Sequence, residues 1–461
     1  MKIYNTLSQA KNMLKKPESG PIRLFVCGPT VYNELHIGNA RVYIVFDVFA
    51  RYLRSTGAAL RYVQNITDID DKIIARAKEE DMSPKRLAEK YTRIFKEDMR
   101  SLNINSVDTY ASATEYIPEI IAQVERLIEK KHAYKITGDG YYFDLATFPH
   151  YGKLAHRTIE QAEDGTSRID ENPNKRNKGD FCVWKFSREG EPSWQAPFGI
   201  GRPGWHIEDT AISEKHFGPQ YEIHGGGIDL KFPHHEAEIA QQESASGKRP
   251  FVQLWMHTGL LTVRGKKMSK SGGNFITIRQ FLNDHSANSL RLTVLQNHYR
   301  SSVDYTEESA LGAETAWRSF IQHIEKLRMQ SRFSSTGTAL FPLQTYDERF
   351  TSAMEDDLNT PEAIATLFSA MHDMQAGLWR ISPKSAGEAR RWFMRKLTLL
   401  GFTRLKHPVS IFARILAWRR ELFRRRKHFI QSDILRAHVE RLGYTIEDTP
   451  RGPLILPQRL Q

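Results

Sequence analysis

Two short strings in this chain have the residue types needed to handle a polyphosphate. The first is His36-Ile37-Gly38-Asn39, which follows the apolar run Ile22 to Gly28 and precedes a segment where Val42, Val45, Phe46, Phe49 and Leu53 recur at helical spacing. A histidine and an asparagine at a helix start supply hydrogen-bond donors beside the positive end of the helix dipole. The glycine between them lets a ligand approach the backbone. The second is Lys267-Met268-Ser269-Lys270-Ser271, followed by Gly272-Gly273-Asn274. Two lysines in a loop of serines and glycines can close on a triphosphate and neutralise the charge that develops as pyrophosphate leaves. Taken singly, the first string is equally a structural helix start and the second a solvated basic turn.

The elements that must position these strings are legible around them. Ile22 to Gly28 and Leu60 to Thr67 read as buried strands, the first ending in a Gly-Pro turn. Ser83-Pro84 reads as an N-cap with proline at the first helical position, and Leu87, Tyr91, Ile94 and Phe95 form that helix's apolar face. Strand, helix, strand, helix predicts a parallel α/β sheet, which binds ligands at the carboxyl ends of its strands, where Cys27 and His36 would sit. Tyr134 to Asp144 reads as a hairpin, and residues 156–180 are a polar stretch expected to be a loop. A second α/β stretch runs from Trp205 to Ser271, and beyond Asp304 the pattern is helical to about residue 442.

The chain has 461 residues, a formal net charge of +12 and two cysteines, Cys27 and Cys182. Two cysteines exclude a disulfide scaffold and suit a reducing compartment. Cys182, alternating with aromatics in DFCVWKF, reads as a buried structural thiol. The N-terminus has no apolar signal-type core and no stretch is long enough to span a membrane, so cytoplasm is the expected location. The positive surplus fits a polyanionic partner, and its distribution supports this. From Arg414 to Lys427 the chain carries Arg414, Arg419, Arg420, Arg424, Arg425, Arg426 and Lys427 against only Glu421.

The two strings, in this order, resemble the HIGH and KMSKS signatures of class I aminoacyl-tRNA synthetases. CGPTVYNELHIGNAR, NITDIDDKII, GRPGWHIE, HGGGIDLKFPHHEAE, KMSKSGGN and MEDDLNTPEA further resemble blocks of the cysteinyl-tRNA synthetase family, and the tail DILRAHVERLGYTIEDTPRG resembles that family's C-terminal end. The resemblance implies an α/β, Rossmann-type parallel-sheet catalytic domain in two halves (1–115 and 201–300) around an inserted connective subdomain (116–200). A helical bundle (301–405) and a small C-terminal anticodon-recognition region (406–461) would follow. It also implies the activity: ATP and cysteine give cysteinyl-adenylate, and a ribose hydroxyl of the terminal adenosine of tRNA(Cys) takes the cysteinyl group. Mg²⁺ would accompany ATP; no DNA or membrane partner is expected, and a monomer is.

The same resemblance assigns roles. His36 and Asn39 would hold ATP phosphates, with Gly38 and Ser269 beside them, and Lys267 and Lys270 would stabilise the transition state. His224, Gly225, Gly226 and Gly227 would let adenosine lie against the backbone. Thr67 and Trp205 would line the cysteine pocket, and Asp229 would meet the substrate ammonium or a ribose hydroxyl. The family holds Zn²⁺ with two cysteines, a histidine and a glutamate; Cys27, His234 and Glu238 match, and Asp209 stands at the second cysteine position. A Cys/Asp/His/Glu set remains able to bind Zn²⁺, though it is harder than one with two thiolates. A second departure is Pro453-Leu454-Ile455, where the family commonly has a tryptophan. Two other readings compete: a mycothiol-type cysteine ligase acting on an amino sugar, and a non-catalytic tRNA-binding paralog.

Overall fold

The structure, a computed structural model, describes residues 1–157, 172–269, 272–333, 339–403 and 409–458. It comprises two compact units, Met1–Arg279 with Tyr299–Asp304, and Gln280–His298 with Tyr305–Gln461. The first is built on β1 (Ile22–Val26), α1 (Ile37–Ser55), β2 (Leu60–Ile66), β3 (Thr109–Ser112), α2 (Ile207–Phe217), β4 (Tyr221–Gly227), α3 (Glu236–Ser246) and β5 (Val252–Thr258). The five strands form one parallel sheet in the order β5-β4-β1-β2-β3. Winding runs outward from the β1/β4 pair in both directions, which is the topology that opens a crevice at the carboxyl ends of those two strands.

The expected strands were one or two residues too long at that edge. The ladders stop at Val26 and Ile66, so Cys27 and Thr67 lie just past them. Cys27 stays fixed because its amide donates to the Gly225 carbonyl at 3.0 Å. Helix α1 is buried almost all round, with Ile37, Ile44, Phe46 and Phe49 wholly inaccessible. Its Arg41 is buried as well and donates to the carbonyls of Leu260 (2.5 Å), Tyr299 (3.2 Å) and Ser301, which ties the helix to the returning segment 299–304. The helix Pro84–Ser101 begins as expected, the Ser83 hydroxyl accepting from the Arg86 amide at 3.3 Å.

Strands Ala133–Ile136, Gly140–Phe143, Phe181–Phe186 and Gly201–Pro203 form a separate antiparallel sheet in chain order. Cys182 is buried in the third. The polar residues 172–180 are held against this sheet. Asp180 accepts from the Leu145 amide (2.9 Å) and the Tyr134 hydroxyl (2.8 Å), and the Arg176 guanidinium lies 4.2 Å from the Tyr134 ring centre. Their polarity therefore reflects internal hydrogen bonding rather than a free loop; residues 158–171 lie outside the described residues.

In the second unit the helices Glu307–Ser331, Leu343–Glu355, Thr360–Gln375 and Pro383–Leu399 surround a core that includes Trp317, Phe320, Phe350, Leu367 and Phe393. Helices α4 (Ile411–Arg425) and α5 (Phe429–Arg441) follow, then a hairpin of β6 (Tyr444–Thr449) and β7 (Gly452–Pro457). Leu416, Ala417 and Val439 pack with Leu435, Tyr444, Ile446 and Ile455 into a small core of their own.

Helix α1 and strand β4 fit closely. A Cβ added at Gly225 would stand 2.2 Å from Cζ of the wholly buried Phe46. Gly225→Ala is therefore expected to lower stability by about 1–3 kcal/mol, read from the denaturant midpoint. Adding Phe46→Leu should recover part of the loss; no loss in the single variant would show that the two elements are less tightly apposed than described.

Candidate active site and metal centre

His36 is the N-cap of α1. Its Nδ1 accepts from the amides of Gly38 (3.0 Å) and Asn39 (3.3 Å), while Asn39 Oδ1 accepts from the His36 amide at 3.2 Å. This reciprocal cap fixes the tautomer. Nδ1 is the acceptor, so the ring proton sits on Nε2, the only nitrogen left to donate to a ligand. Burial, above all, lowers His36 to about 4, with Asp229 opposing and Lys267 reinforcing. At neutral pH it is an uncharged hydrogen-bond donor at the positive end of a helix, a suitable partner for a phosphate oxygen.

The second string meets the first. A Cβ at Gly38 would lie 2.7 Å from Cε of Met268 and 2.8 Å from the His36 ring, so the absence of a side chain here lets Met268 rest directly on the helix tip. Phe275 meets the His36 ring edge-on at 5.0 Å, and the Ile37 amide donates to the Ile276 carbonyl at 3.1 Å. His36, Asn39, Met268 and Ser269 line one cleft of about 370 Å³, together with Cys27, Thr67, Trp205, Asp209, Gly227, Asp229 and His234. Lys267 Nζ is 3.1 Å from Asp229 Oδ2, both side chains being largely exposed. Asp229 thus has a lysine partner in addition to any ligand it meets. Lys270 lies outside the described residues.

The other expected residues divide between cleft and interior. Thr67 donates its hydroxyl to Glu208 Oε1, and Trp205 lies over the His234 ring with centroids 4.5 Å apart. Of the glycine run, Gly227 borders the cleft, whereas Gly225 faces Phe46 and a Cβ at Gly226 would be 2.9 Å from the His235 ring. His224 does not line the cleft. It is wholly buried, with Nε2 3.3 Å from Cys27 Sγ.

Cys27 is the hub of a larger buried cluster. Its Sγ is 3.2 Å from Asp209 Oδ2, 3.1 Å from His235 Nε2 and 3.8 Å from Glu238 Oε1. His234 Nε2 is 3.0 Å from both Asp209 Oδ2 and Glu238 Oε1. A kinked turn over Lys231–His235, with Phe232 extended, lets the neighbouring His234 and His235 both reach Cys27's surroundings before α3 supplies Glu238. Burial, then the charges of Asp209 and Glu238, push the Cys27 thiol well up. Burial likewise raises Glu238, and His234 is carried above its ordinary range because Glu238 and Asp209 outweigh its own burial.

These donors fit a divalent cation. Cys27, Asp209, His234 and Glu238 have ligand atoms all within 4.8 Å of one another, and Asp209 Oδ1 and Glu238 Oε2 are buried without hydrogen-bond partners. Zinc–ligand bonds of ~2.0–2.3 Å imply tetrahedral edges of ~3.3–3.6 Å, close to the spacings seen. Sequence reading missed His206, His235, His257, Tyr221 and Glu208. His206 Nδ1 meets His234 Nδ1 at 2.8 Å, and Glu208 is buried beside Asp209 with its carboxyl raised, chiefly by burial. The paired histidines in FPHHEAE were the one available signal.

In the second unit the basic run is not a uniform face. Arg420 is buried and holds Asp448, while Glu421 accepts from Arg424 (2.9 Å) and Arg425 (2.8 Å). Between the arginines, Ile411, Ile415, Trp418 and Leu422 form an exposed stripe at helical spacing. A Cβ at Gly452 would be 2.5 Å from the Trp418 ring, so an exposed tryptophan does stand at this turn, contributed by α4.

Comparison with known proteins finds two matching regions. The profile of the tRNA synthetases class I (C) catalytic domain matches residues 13–315, and that of the DALR domain matches residues 349–401. The cysteine–tRNA ligase of Thermoplasma volcanium is 42% identical over 450 residues, spanning 97% of this chain and 98% of that protein. That of Thermococcus gammatolerans is 40% identical, spanning 98% of each. Among solved structures, a Mycobacterium tuberculosis methionyl-tRNA synthetase with methionyl-adenylate shares the fold at a TM-score of 0.63 and 16% identity, covering 83% of this chain and 92% of that one.

The capping geometry separates two roles of His36. Asparagine places Oδ1 where histidine has Nδ1, so His36→Asn should keep the cap while removing the Nε2 donor. His36→Ala is expected to lose about 0.5–2 kcal/mol of stability, and His36→Asn markedly less, as read by denaturant unfolding. Equal losses would show that the ring's packing on Phe275, not the cap, holds the residue.

Proposed function

The chain belongs to the cysteine–tRNA ligase family of class I synthetases, and on that premise we propose that it activates cysteine with ATP and transfers it to tRNA(Cys). In the first step the cysteine carboxylate attacks the α-phosphorus, the α–β anhydride bond breaks, and pyrophosphate leaves. In the second a ribose hydroxyl of the terminal adenosine attacks the acyl carbon and AMP leaves. Little covalent chemistry falls to the protein, so positioning and charge stabilisation carry the acceleration. His36 Nε2–H, at the positive end of the α1 dipole, and the Asn39 side-chain amide hold phosphate oxygens. Lys267, aided by Lys270, follows the charge onto the departing pyrophosphate, releasing Asp229 as it does so. Mg²⁺ enters with ATP.

Thr67 and Trp205 bound the end of the cleft that takes the amino acid. Beside them Cys27, Asp209, His234 and Glu238 would hold Zn²⁺. When bound, the ion supplies a Lewis acid that prefers a thiolate to a hydroxyl, which selects cysteine over serine. The α4 surface, with Trp418, Arg414 and Arg419, takes the RNA partner through phosphate contact and stacking. We further propose that the protein acts in the cytoplasm as a monomer; its two buried free thiols fit a reducing compartment.

The observation that carries the proposal is the seating of Met268 on Gly38, which brings the helix tip and the lysine loop to one cleft. Cysteine-dependent ATP–pyrophosphate exchange tests it. Wild type should exchange with cysteine, and Lys267→Ala should lower kcat by about 10²–10³-fold with little change in fold. Absence of exchange by folded, zinc-supplied wild type would refute the activity.

A further inference from the structure

Cys27 has donors on two sides. Towards the cleft lie Asp209 and His234. Away from it lie His224 and His235, whose Nε2 atoms are 3.3 and 3.1 Å from Sγ and whose side chains are wholly buried. Glu238 serves both sides. Its Oε1 is 3.0 Å from His234 Nε2, and its Oε2 is 3.4 Å from His224 Nε2, buried and without a hydrogen-bond partner. Cys27, His224, His235 and Glu238 thus form a second set whose ligand atoms all lie within 4.8 Å of one another.

Both rear imidazoles are oriented by their far nitrogens, as ligands to a metal commonly are. Tyr221 Oη is 2.7 Å from His224 Nδ1. His257 Nε2 is 2.8 Å from His235 Nδ1, and His257 Nδ1 is in turn 2.8 Å from Thr6 Oγ1. These anchors leave each Nε2 directed at Cys27. Neither histidine lines the cleft, whereas Cys27, Asp209 and His234 do.

We propose that this rear set is an alternative seat for the zinc ion, closed to the cleft and independent of Asp209. The proposal rests on the reading that the cluster binds zinc, and the chemistry of the donors favours the rear position. The rear set offers two imidazoles and one carboxylate beside the thiolate, a softer environment than one imidazole and two carboxylates. Because Cys27 and Glu238 belong to both sets, a single ion occupies one or the other. In the rear it has four protein ligands and no place for substrate; at the front it faces the amino-acid end of the cleft.

Zinc content and zinc K-edge absorption of the full-length protein, without cysteine, test the idea. Wild type should hold about one zinc, with scattering from one sulfur and two imidazoles. Asp209→Ala should retain it with unchanged imidazole scattering, whereas His235→Gln should weaken zinc binding at least about tenfold or shift the spectrum to one imidazole. Loss of zinc from Asp209→Ala with full retention and an unchanged spectrum in His235→Gln would overturn the rear seat while leaving the front one. Equal loss from both variants would overturn it in favour of one composite site. Circular dichroism melts of each variant guard against unfolding, and the wild-type spectrum decides the matter without any variant. A wild type that holds no zinc would remove both seats, while pyrophosphate exchange would still report separately on the proposed activity.

Discussion

A thiol and two carboxylates, those of Cys27, Asp209 and Glu238, are buried side by side, and much of the surrounding architecture serves to make that tolerable. Burying ionised groups together is costly unless opposite charge or hydrogen bonds compensate. Here the compensation comes from histidines on separate segments: His224 from β4, and His234 and His235 from the kinked turn before α3. The turn, the glycine at 226 that admits the His235 ring, and the end of β1 at Val26 are all consequences of bringing these groups into one place.

The nucleotide side of the cleft uses a different economy of groups. One histidine both terminates a helix and presents a proton donor, because its two ring nitrogens do separate jobs. The cap that stabilises α1 locally also fixes the direction of the ring's remaining N–H, and burial keeps the ring neutral. The same helix carries Phe46 into the hollow left by Gly225, so the element that holds the phosphate donor is packed against the strand that supports the metal-ligating side.

Local signals in the sequence showed a good deal of this. The strand before Cys27, the α1 stripe, the Ser83 cap and the two phosphate-handling strings follow from spacing and residue type over a few positions. What escaped depends on partners far along the chain. Tyr221, His206 and His257 sit in buried strands or at a helix start, where periodicity says only that they are inside; His206 and His257 show their roles only when His234 and Thr6 are brought beside them, and Tyr221 only when the His224 it anchors meets Cys27. The glycines of β4 looked like a ligand-facing turn, yet two of the three make room for Phe46 and His235. Arg420 counted as one more surface charge until Asp448, on the hairpin, turned it inward. A one-dimensional pattern records that a residue is polar; it does not record which side of an element the polarity must face.

The ion pair between Lys267 and Asp229 has a consequence for motion. With side chains 63% and 47% exposed, it lies in high dielectric and contributes little to stability. The Lys267 side chain is therefore parked rather than locked. It rests on a weak attraction that a polyphosphate can outbid and that dissolved salt screens, so its readiness to leave Asp229 is governed by the ionic medium around the protein, while the backbone beneath it stays paired with Thr262.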